Sequence, residues 1–148
     1  MDVQELRLSQ VDRALKQVSV PPRPQIGWIQ AIRTALGMTT RQLASRMGVT
    51  QSTLAELEKS EANYKITLHS LRRAADALDC EVQYVLVPRA SLKKRVENQA
   101  ESMARSQVAR VFHSMRLEDQ APTANVDKKE ISRVRAKLLN TNWKRLWE

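Results

Sequence analysis

Apolar residues recur every three or four positions along most of the chain, a spacing that predicts a mainly helical protein. Near the start of the chain the apolar positions are Leu8, Val11, Leu15 and Val18. The sequence SVPPRP then interrupts the pattern, as prolines do where a helix ends. We therefore expect residues 1–22 to form an amphipathic helical arm, over about residues 2–18, and a linker.

Four short helices are predicted in the next part of the chain, residues 23–88, from the stretches GWIQAIRTAL, TTRQLASRM, TQSTLAELEK and TLHSLRRAADAL. Gly37 and Gly48 stand where helix ends need a residue in the left-handed conformation. Thr50 and Thr67 stand where a side chain can cap the start of a helix. Because helices this short are marginal alone, we expect packing to hold them together.

The sequence EVQYVLVP, residues 81–88, changes to a pattern typical of a β-strand, with Val82, Tyr84 and Leu86 alternating and Pro88 as the stop. We predict one short strand here. No second stretch predicts a partner strand, and a lone strand leaves backbone groups unpaired. The segment is therefore either merely extended or paired with another molecule, for which antiparallel pairing across a two-fold axis is the simplest arrangement.

Residues 89–148 are predicted to form a helical, basic C-terminal region for dimerisation or partner binding. A long helix is expected over residues 91–118, from apolar residues at intervals of three and four. Gln120 to Asn125, with Pro122, interrupts the pattern, and a further helix follows from about Asp127. The chain ends in the sequence NWKRLWE.

Composition and charge exclude several classes of protein. With the single cysteine Cys80 among 148 residues, the chain has no internal disulfide framework. No stretch approaches the roughly 18 apolar residues of a membrane span, and no signal peptide is recognisable, so we expect a cytoplasmic protein.

The net charge is +9, and residues 89–148 contribute most of it, with fourteen Lys and Arg against seven Asp and Glu. A basic balance favours polyanions or acidic partners.

The sequence TRQLASRMGVTQSTLAEL, from Thr40, meets the steric requirements of a helix-turn-helix. In that arrangement two helices cross closely, a turn residue tolerates positive φ, and the second helix projects into the major groove of DNA. Ala44 suits the crossing and Gly48 the turn. The residues expected to point inward are Leu43, Met47, Val49, Leu54 and Leu57. An ordinary helical hairpin remains the alternative.

Residues 27–80 resemble the Xre/Cro-type helix-turn-helix domain of bacterial and phage regulators, which is lambda-repressor-like. More closely, the run from GWIQAIRTALGMTTRQLASRMGV to LHSLRRAADALDCEVQYVLVP resembles the family called mobile mystery protein A. Members of that family are encoded beside a Fic-domain protein in a toxin–antitoxin-like arrangement. The resemblance implies an autoregulatory repressor that is the antitoxin of a Fic-type toxin. We expect it to act as a homodimer on palindromic double-stranded DNA. The expected fold is a mainly α helix-turn-helix core with one short β-strand and additional N- and C-terminal helices.

Gln51, Ser52 and Glu56 point away from the inward residues, at positions that read base edges in the Xre-type domain. Glutamine suits the N6/N7 edge of adenine, and a carboxylate can accept only from cytosine N4 or adenine N6. Expected phosphate contacts, which position without specifying sequence, are Thr40, Arg41, Thr53, Lys59, Asn63 and Lys65. Thr40 replaces the glutamine common at its position, and we expect it to be too short to brace a base-reading side chain.

The resemblance places an arginine, here Arg33, opposite Glu58. We expect a partly buried Arg33–Glu58 ion pair that holds the recognition helix on its scaffold. Glu61, at the end of that helix, has no predicted role. The puzzle is that a helix meant to approach phosphates carries three carboxylates, those of Glu56, Glu58 and Glu61.

Three functions are alternatives to sequence-specific DNA binding: an enzyme, a protein-binding antitoxin or adaptor, and general coating of nucleic acid by the basic tail. An enzyme is not expected, because His69, His113 and Cys80 share no catalytic or metal-ligand spacing, and we expect no cofactor or metal. A protein-binding antitoxin or adaptor is the serious alternative, with the helical tail capturing a toxin and DNA binding secondary. The apolar faces of the arm, the long helix and the Trp143/Trp147 end support it. For the long helix we expect intermolecular use.

Fic inhibitors often carry Ser or Thr, then Glu four residues later, then Gly or Asn. The Glu97–Asn98 pair is the one place where a Glu precedes either residue, and Lys93 occupies the Ser/Thr position. The inhibitory signature is therefore absent, so either this chain inhibits a toxin by another mechanism, such as occlusion, or it does not inhibit one.

Overall fold

The computed structural model describes residues 2–118 and 124–148, and these residues are mainly helical, as predicted. They form seven α-helices, followed by a 3₁₀ helix at Trp143–Trp147. The α-helices are α1 (Val3–Lys16), α2 (Trp28–Ala35), α3 (Thr40–Met47), α4 (Gln51–Ala62), α5 (Leu68–Ala77), α6 (Leu92–Leu117) and α7 (Ala124–Leu139). Most of the expected interruption at residues 120–125 cannot be compared with the structure, because residues 119–123 lie outside the described part of the chain.

The prediction of a β-strand is wrong for the chain on its own. Residues 81–88 run without helix, turn or bend, but the described residues contain no strand. No backbone hydrogen bond joins residues 81–88 to another described residue. A β-forming sequence becomes a strand only when a neighbour satisfies its backbone donors and acceptors.

The chain divides into two compact units. One unit spans residues 19–86 and contains α2 to α5. Its core is built from the apolar faces of all four helices, namely Ile29, Leu43, Ala44, Leu54, Ala74 and Leu78. Because four short helices share this small core, none can be repositioned without disturbing the others.

Local signals in the sequence set the ends of these helices. Thr39 and Gln42 form a capping box at the start of α3. The side chain of Thr50 accepts a hydrogen bond from the amide of Thr53 at the start of α4. Gly48 ends α3 with φ at 68°, in the left-handed region that glycine adopts without steric cost.

The other unit comprises residues up to 18 and residues from 87 onward, and contains α1, α6, α7 and the 3₁₀ helix. The apolar stripe of α6 is buried along its length, at Val96, Ala100, Ala104, Val108 and Phe112. Residues packed against its first half include Leu8 of α1, Leu138 and Leu139 of α7, and Trp143 and Leu146 of the 3₁₀ helix. The chain itself covers these five residues, whereas the use of residues 89–148 for dimerisation or partner binding stays a prediction.

Asp12 of α1 holds the start of α6. Its carboxylate accepts hydrogen bonds from the backbone amides of Leu92 at 2.7 Å and Lys93 at 3.0 Å. The first amides of a helix lack partners within the helix, and the helix dipole favours a negative charge there. None of the residues of α1 is fully buried, so this polar contact is a main attachment of α1.

In the described part of the chain, no helix is long and apolar enough to cross a membrane.

Candidate DNA interface

Helices α3 and α4 form the helix-turn-helix that the sequence predicts. Ala44 of α3 and Leu54 of α4 are both buried in the core of their unit. Met47 at the end of α3 and Val49 in the turn pack against the same core. The turn between the two helices is only three residues long, from Gly48 to Thr50. The arrangement buries one side of α4 and leaves the other side free.

The exposed side of α4 begins with the predicted base-reading residues. Gln51, Ser52 and Glu56 are all exposed and lie within the first two turns of the helix. Ser52 and Glu56 are four residues apart, which places them on one face of the helix. Within the described part of the chain, the side chains of Ser52 and Glu56 form no hydrogen bond or ion pair, so their polar groups face solvent.

Thr40 braces Gln51, contrary to expectation. The Nε2 amide of Gln51 donates a hydrogen bond to Thr40 Oγ1 at 3.0 Å. Threonine is long enough here because Thr40 is the first residue of α3 and Gln51 the first of α4, and the crossing brings these two starts together. One amide hydrogen of Gln51 is held by this contact, which leaves the carbonyl and the second hydrogen for a ligand.

The predicted phosphate contacts differ in how free their side chains are. Thr40 is half-buried, and the other five residues are exposed. The hydroxyl of Thr53 bonds to that of Thr50 at 2.8 Å, and Asn63 donates to the carbonyl of Lys59 at 2.9 Å. The remaining three have cationic side chains that form no hydrogen bond or ion pair with another described residue: Arg41, Lys59 and Lys65.

Arg33 and Glu58 form a buried ion pair between α2 and α4. Arg33 Nε donates to Glu58 Oε1 at 2.6 Å and Arg33 Nη2 donates to Glu58 Oε2 at 3.2 Å, a bidentate geometry. The third contact of the guanidinium is Nη1 to the carbonyl of Met38 at 2.9 Å. Both side chains are nearly inaccessible to solvent, so the charge of Glu58 is neutralised inside the unit and is absent from its surface.

Glu61, which had no predicted role, attaches the other end of α4 to α2. Its carboxylate accepts hydrogen bonds from the amides of Trp28 at 2.7 Å and Ile29 at 2.9 Å, the first two residues of α2. Glu61 is therefore a helix cap supplied from a distant part of the chain. A signal was present in the sequence, because Leu54, Glu58 and Glu61 follow the spacing of one helix face.

Arg23 holds the last turn of α4 from outside. Its guanidinium donates to the carbonyls of Glu61 and Ala62, both at 3.2 Å, and lies 3.8 Å above the centre of the Tyr64 ring. Cations favour the exposed carbonyls at the end of a helix. The proline-rich sequence around Arg23 indicates only a linker, so its partners could not be inferred from the pattern.

Burial of two carboxylates changes the charge that α4 presents. Glu58 and Glu61 are buried, and Glu56 alone among the acidic residues of α4 is exposed. Over residues 27–88, six exposed Lys and Arg side chains stand against four exposed Asp and Glu side chains. The surface of these residues thus carries a small basic excess, to which α4 contributes only one exposed carboxylate.

A family model described as helix-turn-helix matches residues 29–85, which covers α2 to α5 and most of the extended segment after them. Comparison with curated proteins gives no match, and comparison with solved structures gives none. The geometry and the family match agree: residues 29–85 are a helix-turn-helix domain of the Xre/Cro type, the kind found in DNA-binding transcription regulators.

Proposed function

We propose that this protein is a sequence-specific DNA-binding transcriptional repressor, not an enzyme, that acts as a homodimer on a palindromic operator near its own promoter. The observation that carries the proposal is the division of α4 into two faces. One face is anchored through Glu58 and Glu61. The other presents Gln51, Ser52 and Glu56 to solvent, with Gln51 already oriented by Thr40. A rigid element with free polar side chains suits base recognition.

The exposed residues divide into two roles in this proposal. Arg41, Lys59 and Lys65 contact phosphates and set the position of the domain on the duplex. Gln51 and Glu56 contact base edges, with adenine for Gln51 and a cytosine or adenine amino group for Glu56. Glu56 disfavours sequences that place an acceptor opposite its carboxylate, because an ionised carboxylate has no hydrogen to donate.

Selection from a randomised duplex library with the full-length chain tests this proposal. The expected result is one palindromic sequence whose half-sites lie about 34 Å apart, one helical turn. General coating of nucleic acid by the basic C-terminal region predicts binding without sequence preference and a steep loss with salt. Recovery of no preferred sequence at any salt concentration would contradict the repressor function.

We further propose that the protein is the antitoxin and autoregulator of a Fic-type toxin. Support for this step comes from the resemblance to the mobile mystery protein A family alone. Because the Fic inhibitory signature is absent, inhibition would proceed by occlusion of the toxin. Sequencing of the adjacent reading frame is the first test, and co-expression followed by purification of a complex is the second. An adjacent frame without a Fic motif would count against the pairing.

A protein-binding antitoxin or adaptor, with DNA binding secondary, is the second candidate. One observation favours it: a groove of about 480 Å³ lies between α1 and α6. Its floor is apolar, from Leu8, Val96, Leu139 and Trp143, and its rim includes Lys16 and Lys93. Replacing both rim lysines by glutamate should abolish toxin capture and leave operator binding unchanged. Equal toxin capture by this variant would argue against the groove as the binding surface.

A further inference from the structure

We propose that residues 82–86 form the dimer interface, as an antiparallel two-stranded sheet with the same residues of a second copy. The inference deepens the proposed function and rests on it for the need of a two-fold axis, since a palindromic operator is matched by a symmetric dimer. What it adds is the surface that joins the two copies and the register of the pairing.

The backbone of this segment has unsatisfied hydrogen-bonding groups. Residues 81–88 run without turn or bend, and none of their amides or carbonyls is bonded to another described residue. Such a segment is a template for pairing with a second chain. Proteins that keep an edge unpaired usually protect it with lysine, proline or a bulge, but residues 82–86 contain no charged residue and no proline.

The side chains of residues 82–86 are also typical of a strand that packs against a neighbouring strand. Tyr84 is 68% exposed and Leu86 is 84% exposed, although both are large and apolar. Valine, tyrosine and leucine on an extended backbone pack well across a pair of strands. A short, uncharged and β-forming stretch left open to solvent is an aggregation hazard, and a defined partner removes that hazard.

The segment is complementary to itself in one register. A two-fold axis at Tyr84 places Tyr84 opposite its own copy and Val82 opposite Leu86 on both sides. Because residues 82, 84 and 86 share one face of a strand, this register creates a continuous face of six apolar side chains. An axis at Val85 would instead set Val82 opposite Pro88, which has no amide to donate. The Tyr84 register is therefore favoured.

Helix α6 is less suited to form the dimer interface than the sequence suggests. The apolar stripe of α6 is buried within its own unit, from Val96 to Phe112. The extended segment thus combines two features that the buried stripe of α6 does not, namely open backbone groups and exposed apolar side chains.

A charge pair at the axis tests the interface. In full-length protein without DNA, Tyr84→Glu and Tyr84→Lys each place like charges opposite one another, so each variant should be monomeric by light scattering, with a dissociation constant at least about tenfold above wild type. An equimolar mixture should dimerise, because glutamate then faces lysine. Circular dichroism establishes that each variant is folded.

Leu117→Glu and Leu117→Lys are the matched controls, because Leu117 is 78% exposed at the end of α6 and lies outside the segment. Both should remain dimeric. A monomeric wild type, dimeric Tyr84 variants, or a mixture that stays monomeric while folded would each overturn the proposal.

Disulfide trapping tests the register. In a Cys80→Ser background, Tyr84→Cys should form a disulfide between two copies under mild oxidation, because opposed residues of antiparallel strands have Cα atoms about 4.5–5.5 Å apart, within disulfide range. Leu86→Cys should not, since the two copies of residue 86 lie four residues apart along the pair. Faster crosslinking at residue 86 than at residue 84 would overturn the register.

The experiments can reject the dimer interface and the repressor function independently of each other. A dimer that responds to the Tyr84 charges but selects no DNA sequence keeps the interface and rejects the repressor function. A chain that selects a palindrome while Tyr84→Glu stays dimeric keeps the repressor and rejects the interface.

Discussion

The carboxylate of Glu61 occupies the space that a side chain on residue 27 would need. A β-carbon built on Gly27 would lie 2.7 Å from Glu61 Oε2, and Gly27 has φ at +83° and ψ at 163°. The close approach lets Glu61 reach the amides of Trp28 and Ile29. Gly27 and Glu61 therefore act together to attach the recognition helix α4 to α2.

Gly27→Ala should destabilise the unit of residues 19–86 by about 3 kcal/mol or more. The substitution adds backbone strain of about 1–3 kcal/mol and displaces a carboxylate that satisfies two amides. Urea unfolding followed through the NMR signals of α4 amides measures the loss. Gly37→Ala is the matched control, because Gly37 also has positive φ but has open space around it, and it should cost only about 1–2 kcal/mol. Equal losses would contradict the role of Glu61.

Arg33→Met should destabilise the same unit by about 3–5 kcal/mol, because it leaves the carboxylate of Glu58 buried without its partner. Combining it with Glu58→Leu should restore most of that stability, since neither buried charge then remains. Unfolding of the wild type, both single variants and the double variant forms a complete cycle. If the loss of unfolding free energy in the double variant equalled the sum of the losses in the two single variants, Arg33 and Glu58 would not be energetically coupled.

Gln51→Ala should relax the base preference at one position of each half-site, with a loss of about 1–3 kcal/mol for the preferred base only. Thr40→Val keeps the side-chain shape but removes the acceptor for Gln51, and should weaken the same position partially. Glu56→Ala should relax a different position. Binding measured to a set of single-base variants of the selected operator separates these outcomes. A uniform loss over all sequences would indicate a phosphate contact.

Lys59→Ala should weaken binding to all sequences about equally and should reduce the slope of log K against log salt by about 1. The reason is that a phosphate contact releases a counterion and carries no base information. Lys137→Ala, at an exposed lysine of α7, is the matched control outside the helix-turn-helix domain and should leave both the affinity and the salt slope unchanged. A change in base preference with Lys59→Ala would contradict the phosphate role.

Asp12→Asn should weaken the attachment of α1 to α6 by about 1 kcal/mol, because the charge that complements the start of α6 is lost. Hydrogen exchange at the amides of Leu92 and Lys93, which bond to Asp12, should accelerate. Glu5→Gln, at an exposed acid of the same helix, should leave both amides unchanged. Identical exchange in the two variants would rule out Asp12 as the cap.

The helices of residues 28–77 could be predicted because their signals are local. Threonine caps, left-handed glycines and apolar residues at helical spacing act over a few residues. The exposed positions of Gln51, Ser52 and Glu56 follow from the same spacing, because a helix with Leu54 inward turns these residues outward.

Contacts between distant residues could not be predicted in the same way. Glu61 meets the start of α2, thirty-three residues earlier, and Gln51 meets Thr40 across the turn. Whether EVQYVLVP forms a strand could not be predicted either, because strand formation depends on a partner that a local pattern does not contain.

The sequence by itself determined where the helices of the helix-turn-helix domain begin and end, and which side of α4 faces outward. Only the tertiary structure decided what the three carboxylates of α4 do. Glu58 is neutralised by Arg33 and Glu61 caps the start of α2, both through contacts with residues far away in the chain, and Glu56 alone remains on the surface. The physical reason is that periodicity determines the direction of a side chain, whereas the partner it meets depends on how the helices pack.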